Sequence, residues 1–128
     1  MENNDKQKIR SFTDLIAWQE GHKLVLEIYK STKTWPKEEL FGLISQIRRA
    51  VISVTSNLAE GFSRSTMKDK ANFYTMALGS LTETQNQLLI ARDLGYLANK
   101  LFQELAQRTV IISKLTNGLI KKSRSLSP

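Results

Sequence analysis

The sequence contains no cysteine, and only one of its 128 residues is a histidine. The absence of cysteine excludes disulfides, thiolate metal sites and a thiol nucleophile. The single histidine, His22, excludes a di-metal centre of the kind that some four-helix bundles build from paired Glu-x-x-His motifs. We expect His22 to be a partly buried packing residue of the first helix.

Long apolar runs are also absent. No stretch approaches the roughly 18 apolar residues that a membrane span needs, and the polar residues 1–10 contain no signal-peptide core. The sequence has no glycine-rich phosphate loop, no His-Glu-x-x-His motif and no nucleophile elbow. We therefore predict a cytoplasmic protein that is not an enzyme, has no membrane partner and needs no metal or cofactor.

Helical periodicity is what the sequence does contain, without any alternating strand pattern. The fold that we predict is all-α, an antiparallel up-down-up-down four-helix bundle forming one domain. The predicted helices cover about residues 13–34, 38–60, 66–94 and 98–122. The predicted organisation is a disordered lead at 1–10, the bundle at 11–122 and a flexible tail at 123–128.

Local signals mark the predicted helix ends. Segments 11–14 and 66–69 have the spacing of capping boxes. Pro36 ends the first helix, and Gly61 is predicted to end the second in a left-handed conformation. Gly79, inside the third helix, costs about 1 kcal/mol of helix propensity. Either close approach of a neighbouring helix offsets this cost, or the glycine is simply accommodated.

The second helix carries the most informative pattern. Its apolar residues alternate in steps of four and three, which is typical of a helix that faces a core. This seam consists of Leu40, Ile44, Ile47, Val51, Val54 and Leu58. Phe41, Ile52 and Ala59 add apolar surface on another side. Because a helix that is apolar on more than one side is usually buried from more than one direction, we expect a second copy of the chain to cover it.

A polar stripe runs along the same helix. It consists of Gln46, Arg49, Ser53, Asn57 and Glu60. One interpretation is a buried network, in which Asn57 and Ser53 bond to the third helix and Arg49 pairs with Glu83 to specify register and partner. The other is a polar lining of a channel or groove between subunits.

The formal net charge is +7, and residues 121–128 carry three basic and no acidic side chains. This charge is either a solvated surface with a basic tail or an attraction to a polyanion, because Lys and Arg release counterions from phosphates. Basic residues and hydroxyls also surround the predicted start of the third helix, where an anion would be favoured. The predicted nucleic-acid contacts are Arg48, Arg49, Arg64, Lys68, Lys70, Lys121, Lys122 and Arg124.

Several short motifs occur between residues 12 and 119. They include Leu15-x-x-Trp18, Pro36-x-x-Glu39-x-Phe41-Gly42-Leu43, Gln46-Ile-Arg-Arg-Ala50, Asn57-Leu-Ala-Glu-Gly61, Ala77-x-Gly79-Ser80-Leu81-x-Glu83 and Leu94-Gly95-Tyr96. Together they resemble the bacterial family of four-helix bundle proteins encoded in intervening sequences of 23S ribosomal RNA genes. The accessory variability protein of diversity-generating retroelements is a relative of that family.

This resemblance implies a homopentameric barrel of antiparallel bundles with a basic surface. In the retroelement relatives, that surface engages nucleic acid and a reverse transcriptase. The resemblance brings no catalytic residues. Two hypotheses follow for this chain: a homo-oligomeric accessory protein that binds RNA or DNA through phosphates, or a structural protein-interaction module whose affinity for nucleic acid is incidental.

Overall fold

The structure, a computed structural model, describes residues 8–127, and within them the chain forms four α-helices and no strand. The helices are α1 (Ile16–Thr32), α2 (Leu43–Ser63), α3 (Met67–Asp93) and α4 (Asn99–Ser125). Single 3-10 turns at Phe12–Asp14 and Lys37–Glu39 precede α1 and α2. The all-α prediction is therefore confirmed, whereas most of the predicted N-terminal lead and Pro128 lie outside the described residues. None of the described helices combines the length and apolar character that crossing a membrane requires.

The first helix begins later than predicted because the capping box at residues 11–14 belongs to a separate 3-10 turn. The Ser11 hydroxyl accepts a hydrogen bond from the Thr13 N–H at 3.3 Å, and the Asp14 carboxylate accepts one from the Ser11 N–H at 3.1 Å. The turn ends at Leu15, whose backbone is extended, and α1 starts with Ile16.

The second and fourth helices also differ from their predicted bounds. The backbone after Pro36 makes a 3-10 turn, so α2 starts at Leu43 rather than at 38. The Glu39 carboxylate accepts a hydrogen bond from the Leu43 N–H at 3.2 Å, which satisfies one donor of the first turn. At the other end of the chain, α4 continues to Ser125 and buries Ser123, so the predicted flexible tail at 123–128 starts too early.

Gly61 does not end α2 in a left-handed conformation, and that prediction was wrong. The helix continues through Gly61, which is buried, and the only positive φ among the described residues is that of Gly95, 82°, after α3. A Cβ on Gly61 would lie 2.7 Å from Cε1 of Tyr74, so α2 and α3 approach closely here. Gly79 is exposed, and a Cβ there would meet nothing within 4 Å. Of the two alternatives for Gly79, the structure therefore has the simply accommodated glycine, and the close approach of a neighbouring helix is found at Gly61 instead.

The apolar seam of α2 forms the centre of the core. Its buried members are Ile44, Ile47, Val51, Val54 and Leu58. Leu40 does not belong to the seam, because it precedes the helix and is 48% exposed. From α3, Ala77, Leu81 and Leu88, whose helical spacing predicts that they share one face, pack into the same core cluster. The core side of both helices was thus predictable from their periodicity.

Contacts between α2 and α3 define how the two helices align. The Ser80 hydroxyl donates to the Ser53 hydroxyl at 2.8 Å, and the Lys70 ammonium donates to the Phe62 carbonyl at 2.6 Å. From one contact to the next, residue numbers rise along α2 while they fall along α3. The start of α3 therefore lies beside the end of α2.

The same relation holds between α3 and α4. The Gln85 amide donates to the Thr109 hydroxyl at 2.9 Å, and the Arg92 guanidinium lies 4.6 Å from the centroid of the Phe102 ring. A step of seven residues towards the C-terminus of α3 thus corresponds to a step of seven residues towards the N-terminus of α4. Continued along both helices, this register places residues 121–124 of α4 beside residues 70–73 of α3.

Candidate nucleic-acid interface

The polar stripe of α2 is exposed at its ends and half-buried in its middle, at Ser53 and Asn57. The Asn57 amide donates to the carbonyl and the hydroxyl of Ser53, at 2.9 and 3.1 Å. Ser53 in turn accepts a hydrogen bond from Ser80 of α3. Ser53 thus reaches the third helix directly, whereas Asn57 bonds within its own helix.

Arg49 and Glu83 face each other across a shallow groove between α2 and α3. The groove has a volume of about 300 Å³, and Gln46, Ala50 and Ser53 complete its lining. No ion pair within 4 Å joins Arg49 to Glu83 in the described chain, so the predicted pairing is not formed within one copy. Both side chains are exposed and can meet a partner.

Arg48 serves the contact between α1 and α2. Its side chain is half-buried, Nε donates to the Thr32 hydroxyl at 2.9 Å, and the guanidinium lies 4.4 Å from the centroid of the Tyr29 ring. These contacts engage most of the guanidinium, so little of it is left for a phosphate. We therefore leave Arg48 out of the candidate interface.

Two of the predicted basic contacts at the turn between α2 and α3 have partners inside the chain. Arg64 pairs with Glu60 at 2.7 Å and lies 4.5 Å from the centroid of the Phe73 ring. The Lys70 ammonium satisfies the carbonyl of Phe62 in the last turn of α2. The Arg64 side chain is still about 40% exposed, so its charge acts on the solvent side of the turn.

The predicted anion seat at the start of α3 is partly occupied by the chain itself. The Thr66 hydroxyl accepts a hydrogen bond from the Asp69 N–H at 3.1 Å, and Asp69 places a negative charge in the first turn. Lys68 is exposed and makes no ion pair within the described residues. Cationic side chains, rather than a backbone nest, are therefore what this turn offers to an anion.

Basic residues from distant parts of the sequence converge at one end of the molecule. Segments 8–16, 60–70 and 121–127 carry eight basic and three acidic side chains, a net charge of +5 out of +7 for the whole chain. We call this the basic end. The opposite end, made of segments 28–45 and 88–104, carries five basic and four acidic side chains. The basic end contains Arg64, Lys68, Lys70, Lys121, Lys122 and Arg124 of the predicted contacts.

The opposite end contains a hydrogen bond that the sequence did not predict. The Tyr96 hydroxyl donates to the Glu39 carboxylate at 2.8 Å, and the Trp35 ring centroid lies 5.9 Å from that of Tyr96. This hydrogen bond raises the pKa of Tyr96, with burial and the charges of Glu39 and Glu38 adding to the effect. Glu39 and Tyr96 are 57 positions apart, so no local spacing signals their contact.

His22 is exposed rather than partly buried, and its ring stacks on Trp18 with 4.7 Å between the ring centroids. Within residues 8–127, no group of three or more His, Asp or Glu side chains is close enough to share a metal ion.

These features define a basic, all-α protein of four helices. The family model of the 23S rRNA-intervening sequence protein matches residues 13–118, and the chain belongs to this family. A crystal structure of a protein with unknown function, from the S23 ribosomal protein family of Bacteroides thetaiotaomicron VPI-5482, is similar with a TM-score of 0.77 and 21% identity. The match covers 83% of this chain and 96% of that one, and it concerns the fold alone. No curated protein matches the sequence.

Proposed function

We propose that this chain is a non-enzymatic homo-oligomer of up-down-up-down bundles that binds RNA or DNA through phosphate contacts at its basic end. The observation that carries the proposal is the convergence of three distant segments into a net charge of +5 at one end. Such a concentration of charge attracts polyanions and gains affinity from counterion release. In a homopentamer, five basic ends on one particle would strengthen that field.

The contact register supports the proposed topology. Each helix contacts the next one along the chain with residue numbers that run in opposite directions. Between α1 and α2, Gly21 lies beside Thr55, whereas Thr32, later in α1, bonds Arg48, earlier in α2. The same is true of α2 with α3 and of α3 with α4. Short connections between such helices are typical of an up-down-up-down bundle.

The aromatic rings at the basic end favour contact with phosphates rather than with bases. Phe62 and Phe73 are half-buried, and the cations of Lys70 and Arg64 lie over them. Rings covered in this way are poor platforms for base stacking. We therefore expect binding that is largely independent of sequence and that weakens steeply with salt.

A pair of charge variants tests the proposal. The basic-end variant combines Lys68→Gln, Lys121→Gln, Lys122→Gln and Arg124→Gln. The control removes the same charge from the opposite end by Lys30→Gln, Lys33→Gln, Lys37→Gln and Lys100→Gln. The measurement is the affinity for a fluorescent RNA or DNA duplex at several salt concentrations. If all four side chains contact phosphates, the slope of log affinity against log salt falls by about 3 to 4 in the basic-end variant.

The control variant is expected to keep the slope of the natural sequence. An equal loss in both variants would show that only net charge matters, and it would remove the basic end from the proposal. An affinity that does not change with salt would contradict phosphate contacts altogether.

A further inference from the structure

Phe41 is the most exposed large apolar side chain of the described residues, at 92%. It lies in a short segment in which the Glu39 carboxylate bonds both the Leu43 N–H and the Tyr96 hydroxyl. The chain thus exposes an aromatic ring to water, where the ring gains none of the stabilisation that burial would give. We call the side chain of Phe41 the knob.

A shallow apolar groove lies between α3 and α4, with a volume of about 270 Å³. Its lining consists of Gln85, Leu88, Leu89, Phe102, Ala106, Thr109 and Val110. The Gln85 amide donates to the Thr109 hydroxyl, which itself donates to the Ala106 carbonyl at 2.6 Å. Because these polar groups already satisfy one another, the groove suits an apolar occupant.

We propose that the knob of one copy inserts into the α3–α4 groove of the next copy. This inference rests on the proposed homo-oligomer and names the surfaces that join it. An apolar cavity of about 150 Å³ is sufficient to bind benzene, so the groove has room for a phenyl ring. The knob and the groove are different surfaces of one chain. Their contact is therefore heterologous, the type that forms a ring when the rotation between copies closes.

The positions of the two surfaces along the bundle agree with a ring. The register between α2 and α3 places Phe41 at the level of about residue 92 of α3, and the groove includes Leu89 of that helix. A rotation about an axis parallel to the helices keeps each residue at its level. The knob of one copy therefore meets the groove of its neighbour without a shift along the bundle.

Apolar residues around the knob and the groove would enlarge the area that the contact buries. A stable interface buries about 1,200–2,000 Å², more than one ring supplies. Leu40 beside the knob, and Leu89 and Val110 in the lining of the groove, are exposed apolar residues that add to the area. Glu38 precedes the knob, and the Arg92 guanidinium, which pairs with Asp93 at 2.9 Å, lies over Phe102 of the groove.

A complementation experiment tests the contact. Phe41→Ser removes the knob and keeps the groove, whereas Val110→Glu places a charge in the groove and keeps the knob. Each variant alone is expected to associate roughly 10- to 100-fold more weakly, as loss of a buried phenyl ring implies. Mixed together, they are expected to form a dimer, because one intact knob and one intact groove remain. Sedimentation velocity gives the masses.

The control variants introduce serine and glutamate at other exposed positions. Leu26→Ser changes an exposed leucine of α1, and Asn117→Glu adds a charge on the exposed side of α4 outside the groove. Both controls should keep the mass of the natural protein. Thermal unfolding of every variant checks that it is folded, which is expected because the changed side chains are all at least partly exposed.

The outcomes separate this inference from the proposed function. If the natural chain assembles and Phe41→Ser assembles equally well, the knob contact is wrong and the oligomer stands. If both variants are monomeric and their mixture stays monomeric, the two surfaces do not meet each other. A natural chain that is monomeric at every concentration overturns the oligomer and the knob contact together.

Discussion

Helices α2 and α4 contribute to the same core with different chemistry. The buried face of α2 is mostly aliphatic, with Ile44, Ile47, Val51, Val54 and Leu58. The buried face of α4 alternates aliphatic side chains with hydroxyls, at Leu105, Thr109, Ile112, Thr116, Ile120 and Ser123. Aliphatic burial stabilises without any partner, whereas a buried hydroxyl stabilises only when it is hydrogen-bonded. The contribution of α4 therefore depends on what each hydroxyl meets.

Two threonines of α4 show both situations. Thr109 donates to the Ala106 carbonyl and accepts from the Gln85 amide. The hydroxyl of Thr116 is equally buried and has no hydrogen-bond partner in the described structure, and the same is true of the side-chain oxygen of Gln87. A buried polar atom without a partner costs free energy, so α4 combines stabilising and destabilising positions on one face.

The largest expected effect comes from the aliphatic face of α2. Ile47 is fully buried, and Ile47→Ala is expected to lower the free energy of unfolding by about 2–5 kcal/mol through lost burial and the cavity that remains. Ile52→Ala, on the exposed side of the same helix, is the control and should cost much less. Urea denaturation measures both. Equal losses would mean that the exposed side of α2 contributes as much to stability as the buried side.

The next largest effect is expected where α2 meets α3. In Gly61→Ala, the new Cβ would lie 2.7 Å from the Tyr74 ring, and overpacking of this kind costs about 1–3 kcal/mol. Gly79→Ala is the matched change in open space, and better helix propensity should stabilise it by up to about 1 kcal/mol. The two melting temperatures should therefore move in opposite directions. A stabilised Gly61→Ala would show that the tyrosine yields easily.

The comparison of α2 with α4 also shows why sequence reasoning succeeded on one helix and was incomplete on the other. The seam of α2 is regular in aliphatic residues, so its core side follows from the spacing of Ile47, Val51 and Val54. On α4, the spacing of Leu105, Ile112 and Leu119 predicts that Leu115 also faces inward, but Leu115 is only half-buried. Thr116, which is fully buried, was missed because a hydroxyl counts as polar in the pattern. Burial is decided by neighbours as well as by residue type.

For the candidate site, too, only part of the arrangement could be predicted from the sequence. The excess of basic residues and its concentration near the C-terminus were readable from the sequence. Which charges are engaged inside the fold was not, because the partners of Arg48 and Lys70 lie on other turns and helices. The close approach at Gly61, rather than at Gly79, was missed for the same reason. A glycine's purpose depends on the side chain opposite, and no spacing along the chain identifies that side chain.

The two threonines of α4 give a prediction of intermediate size. Thr116→Val replaces an unpartnered hydroxyl with a methyl group of similar shape, so it is expected to stabilise the protein by about 1 kcal/mol. Thr109→Val breaks two hydrogen bonds and leaves the Gln85 amide without its partner, so it should destabilise by about 1–2 kcal/mol. Equilibrium denaturation compares them. Destabilisation by both would indicate that Thr116 has a partner, such as a buried water.

The smallest effect on stability is expected on the outer face of α4, at Lys121, Lys122 and Arg124. These side chains are exposed, so their replacement by glutamine should change the free energy of unfolding by less than about 1 kcal/mol, including the lost attraction to the helix dipole. The same triple variant is expected to bind a nucleic-acid duplex more weakly at low salt. A large fall in stability would mean that these charges hold the end of α4 in place. Weaker binding at unchanged stability would instead separate the two faces of α4, because the inner face would then serve folding and the outer face would serve the ligand.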